Sequence, residues 1–293
     1  VKICPWQVEA IALSDFLPKL PSFRTVEVKR FREGVGAEVP DEVAEEVPVG
    51  LEYNGVPHVV MLATPDHLED FGRGFSLTEG IVKNAQEISS VAVESYSDGI
   101  RVMMTLPETS FSKLERRRQN LAGRTGCGLC GTEQLAQVFR PMRPVTSSFT
   151  VKPEALSVAL AQLPGFQPLQ QVTGATHGAF WLNAEGNILL GREDVGRHNA
   201  LDKLVGAMST AGHSFAEGAL LITSRASYEM VQKSIQMNIG LVIALSAPTA
   251  LAIRMAQDFN VTLVGFARAG GHVIYTHPQR LRSGALAAHE QGD

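Results

Sequence analysis

The second half of the chain alternates short apolar runs with amphipathic stretches. The apolar runs are 219-ALLITS-224, 241-LVIALS-246 and 261-VTLVGFA-267, and 227-SYEMVQKSIQM-237 and 248-PTALAIRMAQDF-259 lie between them. A strand that is apolar along its whole length is buried on both faces, and a helix returning to the next strand covers one of those faces. The pattern therefore predicts an α/β domain with a buried, largely parallel sheet and helices on both faces. A helix at 153–163, strands at 177–183 and 187–193 around Glu185-Gly186, a helix from near Gly196 to 210, and a last strand, 273-VIYT-276, complete this half.

The first half has a different rhythm. Alternation in 24-RTVEVKRF-31 signals a strand, and the acidic stretch 38-EVPDEVAEEVP-48 reads as a solvated loop. Two apolar runs around Asn54-Gly55 read as a hairpin over 50–65, followed by a helix after Thr64-Pro65. Strands at 90–97 and 99–107 join near Asp98-Gly99. Next come two helical runs flanking a glycine- and cysteine-bearing loop, then Pro141, Pro144 and 146-TSSFT-150, which look like a connection. At about 150 residues per domain, 293 residues suggest two domains. The expected division is an unassigned arm at 1–22, a small α+β domain at 23–112, a cysteine loop with a connecting helix at 113–150, and an α/β/α domain at 151–293.

Composition narrows the function classes. A net charge of −4 and a pI near 6.1 give no support to nucleic-acid binding, which is usually accompanied by a basic domain. No apolar run approaches the ~18 residues of a membrane span, and 1-VKICPWQVEAIALSDF-16 lacks the layout of a secretory signal. Cys4, Cys127 and Cys130 are the only cysteines, too few and odd in number for a secreted disulfide framework. The expected compartment is the reducing cytoplasm.

In an open α/β sheet, ligands gather beyond the carboxyl ends of the strands. Here those ends are followed by Ser224, Arg225 and Ser227, by Ser246, Ala247, Pro248 and Thr249, and by Arg268, Ala269, Gly270 and Gly271. Ser246 could cap the next helix, with Pro248 in its first turn. Helix starts and arginines suit phosphate, and glycines let backbone approach a ligand. Taken together, the three strand ends predict an anionic ligand site. The loop 190-LGREDVGRHNALDK-203 is also dense, with Arg192, Glu193, Asp194, Arg197, His198 and Asn199 at a helix entry. A zinc deaminase would need H-x-E here and P-C-x-x-C on the next helix, and both are missing, so His198 reads as a hydrogen-bonded structural residue.

The loop 126-GCGLCG-131 fits two motifs, G-x-G-x-x-G and C-x-x-C. A dinucleotide fingerprint must follow a strand, but the preceding 113-KLERRRQNLAGR-124 is basic and helix-prone. Zinc takes four ligands, C-x-x-C supplies two, and no histidine spacing completes the set. Reactive sulfur remains. Cys130 lies just before the helical run 132-TEQLAQVF-139, and Arg116, Arg117, Arg118 and Arg124 add positive charge, which favours thiolate. The glycines predict a mobile loop. Thiol–disulfide exchange and persulfide carriage both fit such a pair.

Several stretches together resemble the formate dehydrogenase accessory sulfurtransferases: 125-TGCGLCGTEQL-135, 191-GREDVGRHNALDKLVG-206, 224-SRASYEMVQKS-234, 245-LSAPTALAIRMA-256 and 265-GFARAGGHVIYTHPQRL-281, with a similar stretch at 53–80. The resemblance spans about 24–282. It implies a small α+β domain followed by a cytidine-deaminase-like α/β/α domain without zinc. It also implies a homodimer and a sulfurtransferase. Such a protein would take a persulfide from a cysteine desulfurase and pass the sulfur to the molybdenum of bis-molybdopterin guanine dinucleotide before that cofactor enters formate dehydrogenase. By the same resemblance Cys127 carries the persulfide, Cys130 supports it, and Phe266, Ala267, Arg268, Ala269, Gly270 and Gly271 bind the cofactor. Arg225, Ser246 and Thr249 join that site from the strand-end reading. A cofactor chaperone without sulfur chemistry and a dithiol oxidoreductase are the competing readings.

Overall fold

The computed structural model describes residues 21–119 and 141–282. The chain opens with a hairpin, β1 (Phe23–Arg32) and β2 (Val35–Ala44), turning through Glu33 and Gly34, both at positive φ. The acidic stretch expected to be a loop is thus largely strand. Its carboxylates face a basic partner strand. Glu42 accepts from Thr25 Oγ1 at 2.9 Å, and Asp41 accepts from Arg30 at 2.8 Å. Opposite charges across a ladder stabilise it, and that partner lies on the neighbouring strand rather than within the acidic stretch.

A second sheet follows, built from β3 (Val47–Tyr53), β4 (Val56–Ala63), β5 (Ser90–Tyr96) and β6 (Gly99–Thr105) in the order β4-β3-β6-β5. The Asn54-Gly55 turn forms as expected, with both residues at positive φ. Helix α1 (Leu68–Thr78) covers one face and brings Phe71 and Phe75 against Leu51, Tyr53, Val102 and Met104. Burying each such side chain stabilises the unit by roughly 1.5–3 kcal/mol. Helix α2 (Glu108–Gln119) then adds Leu114 to the same core.

The larger sheet has six strands in the order β12-β11-β10-β9-β7-β8: β7 (His177–Leu182), β8 (Ile188–Asp194), β9 (Ala219–Ile222), β10 (Leu241–Ala244), β11 (Thr262–Arg268) and β12 (Gly271–Thr276). Only β9–β10 and β10–β11 pair in parallel, so the sheet is mixed rather than largely parallel. The reason is connection length. Crossovers α6 (Tyr228–Gln236) and α7 (Ala250–Asp258) enforce parallel neighbours, whereas β7–β8 and β11–β12 are joined by tight turns, which enforce antiparallel ones. Helix α5 (Arg197–Ala211) joins α6 and α7 over one face, where Trp181, Leu220, Ile222, Val242 and Leu263 point. Helix α3 (Pro153–Gln162) covers the other, over Phe180, Leu221, Ile243 and Val264, and a short α4 (Pro168–Thr173) follows it.

The two sheets share one continuous core through α1 and α5. A Cβ at Gly74 would lie 1.7 Å from the Asp202 carbonyl oxygen, and one at Gly206 would lie 1.9 Å from that of Asp70, so these helices touch backbone to backbone. Two buried ion pairs flank the crossing. Lys203 meets Asp194 at 2.6 Å and donates to the Thr64 carbonyl, while Lys233 meets Asp202 at 2.9 Å and Glu79 at 3.0 Å. Burial alone would lower the Lys233 ammonium, but Asp202 and Glu79 outweigh it and push it up. Burial prevails at Lys203 and pushes its ammonium down despite Asp194. Among the described residues no helix is long and apolar enough to cross a membrane.

Candidate functional site

The carboxyl ends of β9, β10 and β11 are tied into one ledge. After β9, Thr223 Oγ1 accepts from Gly178 N at 2.9 Å, Ser224 is buried and Arg225 is exposed. Ala226 bridges Pro248 in the loop after β10, and Thr249 N donates to the Ala226 carbonyl at 3.1 Å. Phe266 N in turn donates to the Ser246 carbonyl at 3.2 Å. Gly265 permits this approach, because a Cβ there would lie 2.8 Å from Pro248 Cδ.

Individual roles along the ledge differ in detail from expectation. The helix cap is Thr249, whose Oγ1 accepts from Ala252 N at 3.3 Å, and Pro248 stands before the cap rather than in the first turn. Ser246 instead contributes its backbone carbonyl to the ledge. Phe266 sits at positive φ and is 46% exposed, beside a bulge between Gly265 and Arg268. Ala267 is buried, and Arg268 reaches back to the Ala267 carbonyl at 2.9 Å. Gly270 supplies the positive φ of the β11–β12 turn, while Ala269 and Gly271 are exposed beside it. Open space surrounds both glycines. Arg225, Ser246, Thr249 and the 266–271 turn therefore come to one sheet edge as expected, in the order of their strands.

The same edge continues across β7 and the start of α5. The imidazole of His198 contacts Glu229 at 3.0 Å, and Ser227 Oγ donates to the same carboxylate oxygen at 3.2 Å. Arg197 lies 3.9 Å from that oxygen. The His198 contact holds the Glu229 carboxyl below its usual range, against the opposing pull of burial. His198 is thus hydrogen-bonded, as its sequence context suggested. Burial pushes the imidazole of His177, the first residue of β7, down, and the nearby Arg197, His198 and Arg225 push it the same way.

Much of the dense 190–203 loop is consumed by structure. Arg192 pairs with Asp70 at 2.8 Å, and Glu193 accepts from the backbone N–H groups of Leu169 and Gln170 at the start of α4. Asp194 accepts from Gly196 N at 2.7 Å and Asn199 Nδ2 at 3.0 Å, which fixes the entry of α5 and hence Arg197 and His198. Sequence reasoning did not single out His177 or Glu229. Neither stands out in its strand or helix by sequence, and only the fold brings them to the strand-end arginines. Cys127 and Cys130, with Arg124, lie outside the described residues.

Residues 44–282 match the sequence profile of the FdhD/NarQ family. A sulfur carrier protein FdhD of Cupriavidus necator is 52% identical over 282 residues, covering 96% of this chain and 97% of its own. Its counterpart in Xanthomonas euvesicatoria pv. vesicatoria is 50% identical over 257 residues, covering 88% and 92%. A crystal structure assigned to a formate dehydrogenase accessory protein of Desulfotalea psychrophila superposes with a TM-score of 0.70 at 23% identity, covering 89% of this chain and all of that one, a likeness of fold. By profile and by identity over nearly its whole length, the chain belongs to the FdhD/NarQ family.

Proposed function

We propose that this protein is a sulfur carrier for formate dehydrogenase that works through a persulfide on Cys127. The observation that carries the reading is the ledge beyond β9, β10 and β11. It gathers Arg225, Arg268, Phe266 and the Thr249 helix start at the place where an α/β sheet takes its ligand. A cationic edge with an exposed ring suits a cofactor with diphosphate groups and flat heterocycles. Bis-molybdopterin guanine dinucleotide is such a cofactor, and here it is the substrate that receives sulfur. The curated relatives' name supports the sulfur half of the reading.

The chemistry balances without an added oxidant. The Cys127 thiolate attacks the outer sulfur of a cysteine desulfurase persulfide. A new S–S bond forms, the old one breaks, and the donor leaves as thiolate. The outer sulfur, now on Cys127, then passes to the reduced metal of the bound cofactor, which supplies the two electrons that make it a sulfide, and Cys127 returns as thiolate. Cys130 can take up or protect the adduct by thiol exchange. Cys127 is the eighth residue after Gln119, the end of α2. At no more than ~3.6 Å per residue, the Cα of Cys127 can reach no further than about 29 Å from that end. The reading includes two domains, 23–112 and 151–293, in a cytoplasmic homodimer, with formate dehydrogenase as the recipient of the finished cofactor.

The test is mass spectrometry after incubation with a cysteine desulfurase and cysteine. The expected result is one added sulfur on the peptide bearing Cys127, absent in Cys127→Ala, together with loss of formate dehydrogenase activity in cells carrying that variant. Loss of two hydrogens with no sulfur gained would instead identify a dithiol oxidoreductase. Full activity of Cys127→Ala would leave only a cofactor chaperone.

A further inference from the structure

The ligand edge carries an acid–base pair beside its strand-end loops. His198 is the second residue of α5 and Glu229 the second of α6, and both helices start at this edge. The Nε2 of His198 meets Oε2 of Glu229 at 3.0 Å. Its Nδ1 has no hydrogen-bond partner among the described residues and is not closed off from solvent. An imidazole held by a carboxylate through one nitrogen, with the other nitrogen open, is the arrangement that hands protons to a reactant. Helix stability does not call for it. A helix N-terminus favours carboxylates over cations, yet α5 opens on Arg197 and His198 and has no acidic residue in its first turn. Ser227 stands at the N-cap of α6 but does not cap it, and its hydroxyl goes to Glu229 Oε2 at 3.2 Å instead. Asp194 fixes the ring from behind through the α5 entry and is itself committed to Lys203 at 2.6 Å. The other groups around the pair are Arg197, 3.9 Å from the same Glu229 oxygen, and His177, opposite Asp194 on β7. The His198 contact holds the Glu229 carboxyl below its ordinary range, so it stays ionised at neutral pH and offsets these cations.

We propose that His198, oriented by Glu229, is the general acid that releases sulfur from Cys127. The assignment rests on the sulfur-carrier reading and names the group that completes its second step. When the outer sulfur of the persulfide bonds to the reduced metal, the metal supplies the two electrons that make it a sulfide. The S–S bond breaks, and its electron pair stays on the Cys127 sulfur as a thiolate. The protonated His198 ring then gives its Nδ1 proton to that sulfur, leaving a thiol and a neutral imidazole, which takes a proton back from water. A thiolate can attack the delivered sulfur again, whereas a thiol is a poor nucleophile. Proton transfer therefore commits the sulfur to the acceptor. Glu229 steadies the imidazolium that precedes this step and acts through His198, as a positioning residue.

The test times the discharge of sulfur-loaded, full-length protein mixed with saturating sulfur-free bis-molybdopterin guanine dinucleotide, read as loss of the added mass from the Cys127 peptide. Wild-type discharge should slow as pH rises across about pH 5.5–8.5 and the imidazolium loses its proton. His198→Gln keeps an amide that can donate to Glu229 but cannot titrate. It should load sulfur as wild type does, then discharge about 100-fold more slowly and without the pH-dependent fall. Glu229→Gln keeps a hydrogen-bonding partner for the ring but removes the charge. It should discharge about 10-fold more slowly at neutral pH, with the fall displaced to lower pH, because the imidazolium has lost its counter-charge. Discharge of His198→Gln at the wild-type rate overturns the proposal, and so does a slow rate that keeps the wild-type pH dependence, which would mark a structural role. A wild-type profile in Glu229→Gln removes the carboxylate from the pair. Wild type that gains no sulfur on Cys127 at the loading step overturns the sulfur-carrier reading itself, and the general acid with it.

Discussion

The two edges of the six-stranded sheet use the same residue type in opposite ways. At the edge where β9, β10 and β11 begin, Arg280 is buried and spends its guanidinium on the chain itself. It donates to the Ser147 carbonyl at 2.9 and 3.1 Å and reaches Asn260 and Thr262. Ser147 in turn donates to the Ala216 carbonyl, and Asn260 donates to the Val145 carbonyl. The chain returning after residue 140 is thereby stitched to the strand starts. At the edge where those strands end, Arg225 is exposed and makes no ion pair among the described residues, and the Nε of Arg197 has no acceptor among them. A satisfied arginine holds a fold together. An unsatisfied one at a strand end is available to a ligand, and this availability separates a structural edge from a functional one.

The largest test concerns what lies beneath the ligand edge. Lys203 and Asp194 are both fully buried, and Asp194 fixes the entry of α5. Lys203→Met leaves that carboxylate buried and unpaired, which costs about 3–5 kcal/mol. Urea unfolding should show this as a lower midpoint at unchanged slope. A loss under about 1 kcal/mol would mean that the edge does not stand on this pair. The next test contrasts the edges directly. Arg280→Met should cost about 2–3 kcal/mol by stranding the Ser147 carbonyl, whereas Arg225→Met should stay within about 0.5 kcal/mol. Equal losses would erase the distinction drawn between them.

The smallest effect is in pH. Burial holds the imidazoles of His177 and His67 below their ordinary range. The unfolded chain therefore takes up these protons first as pH falls below about 6.5. Their contribution to stability is present above that pH and is lost as pH drops toward the folded-state values. Melting temperature should decline from pH 7.5 to 5.5, and less steeply in His177→Gln. An identical slope in that variant would show that His177 is not held neutral by its burial and its cationic neighbours.

Local chemistry was legible in the sequence where it is written locally. Asn54-Gly55 and Asp98-Gly99 announce their hairpins, and the apolar runs announce β9, β10 and β11. The strand ends that form the ledge could be read off directly, because each loop follows its strand. Features set by a distant partner could not. The acidic stretch becomes β2 because β1 is basic. Glu193 is spent on α4, 24 residues away, rather than on a ligand. His177 and Glu229 join the site only once β7 lies beside β9 and α6 crosses in front of α5.

The glycine crossing of α1 and α5 has a mechanical meaning. A helix contact made through side chains can slip, since rotamers give before backbones do. At Gly74 and Gly206 there are no rotamers, and any shear drives one main chain into another. Arg197 and His198 stand at the first turn of α5. The small N-terminal sheet thus acts as a stiff handle on the ligand edge, and a load applied to one is felt at the other without slack.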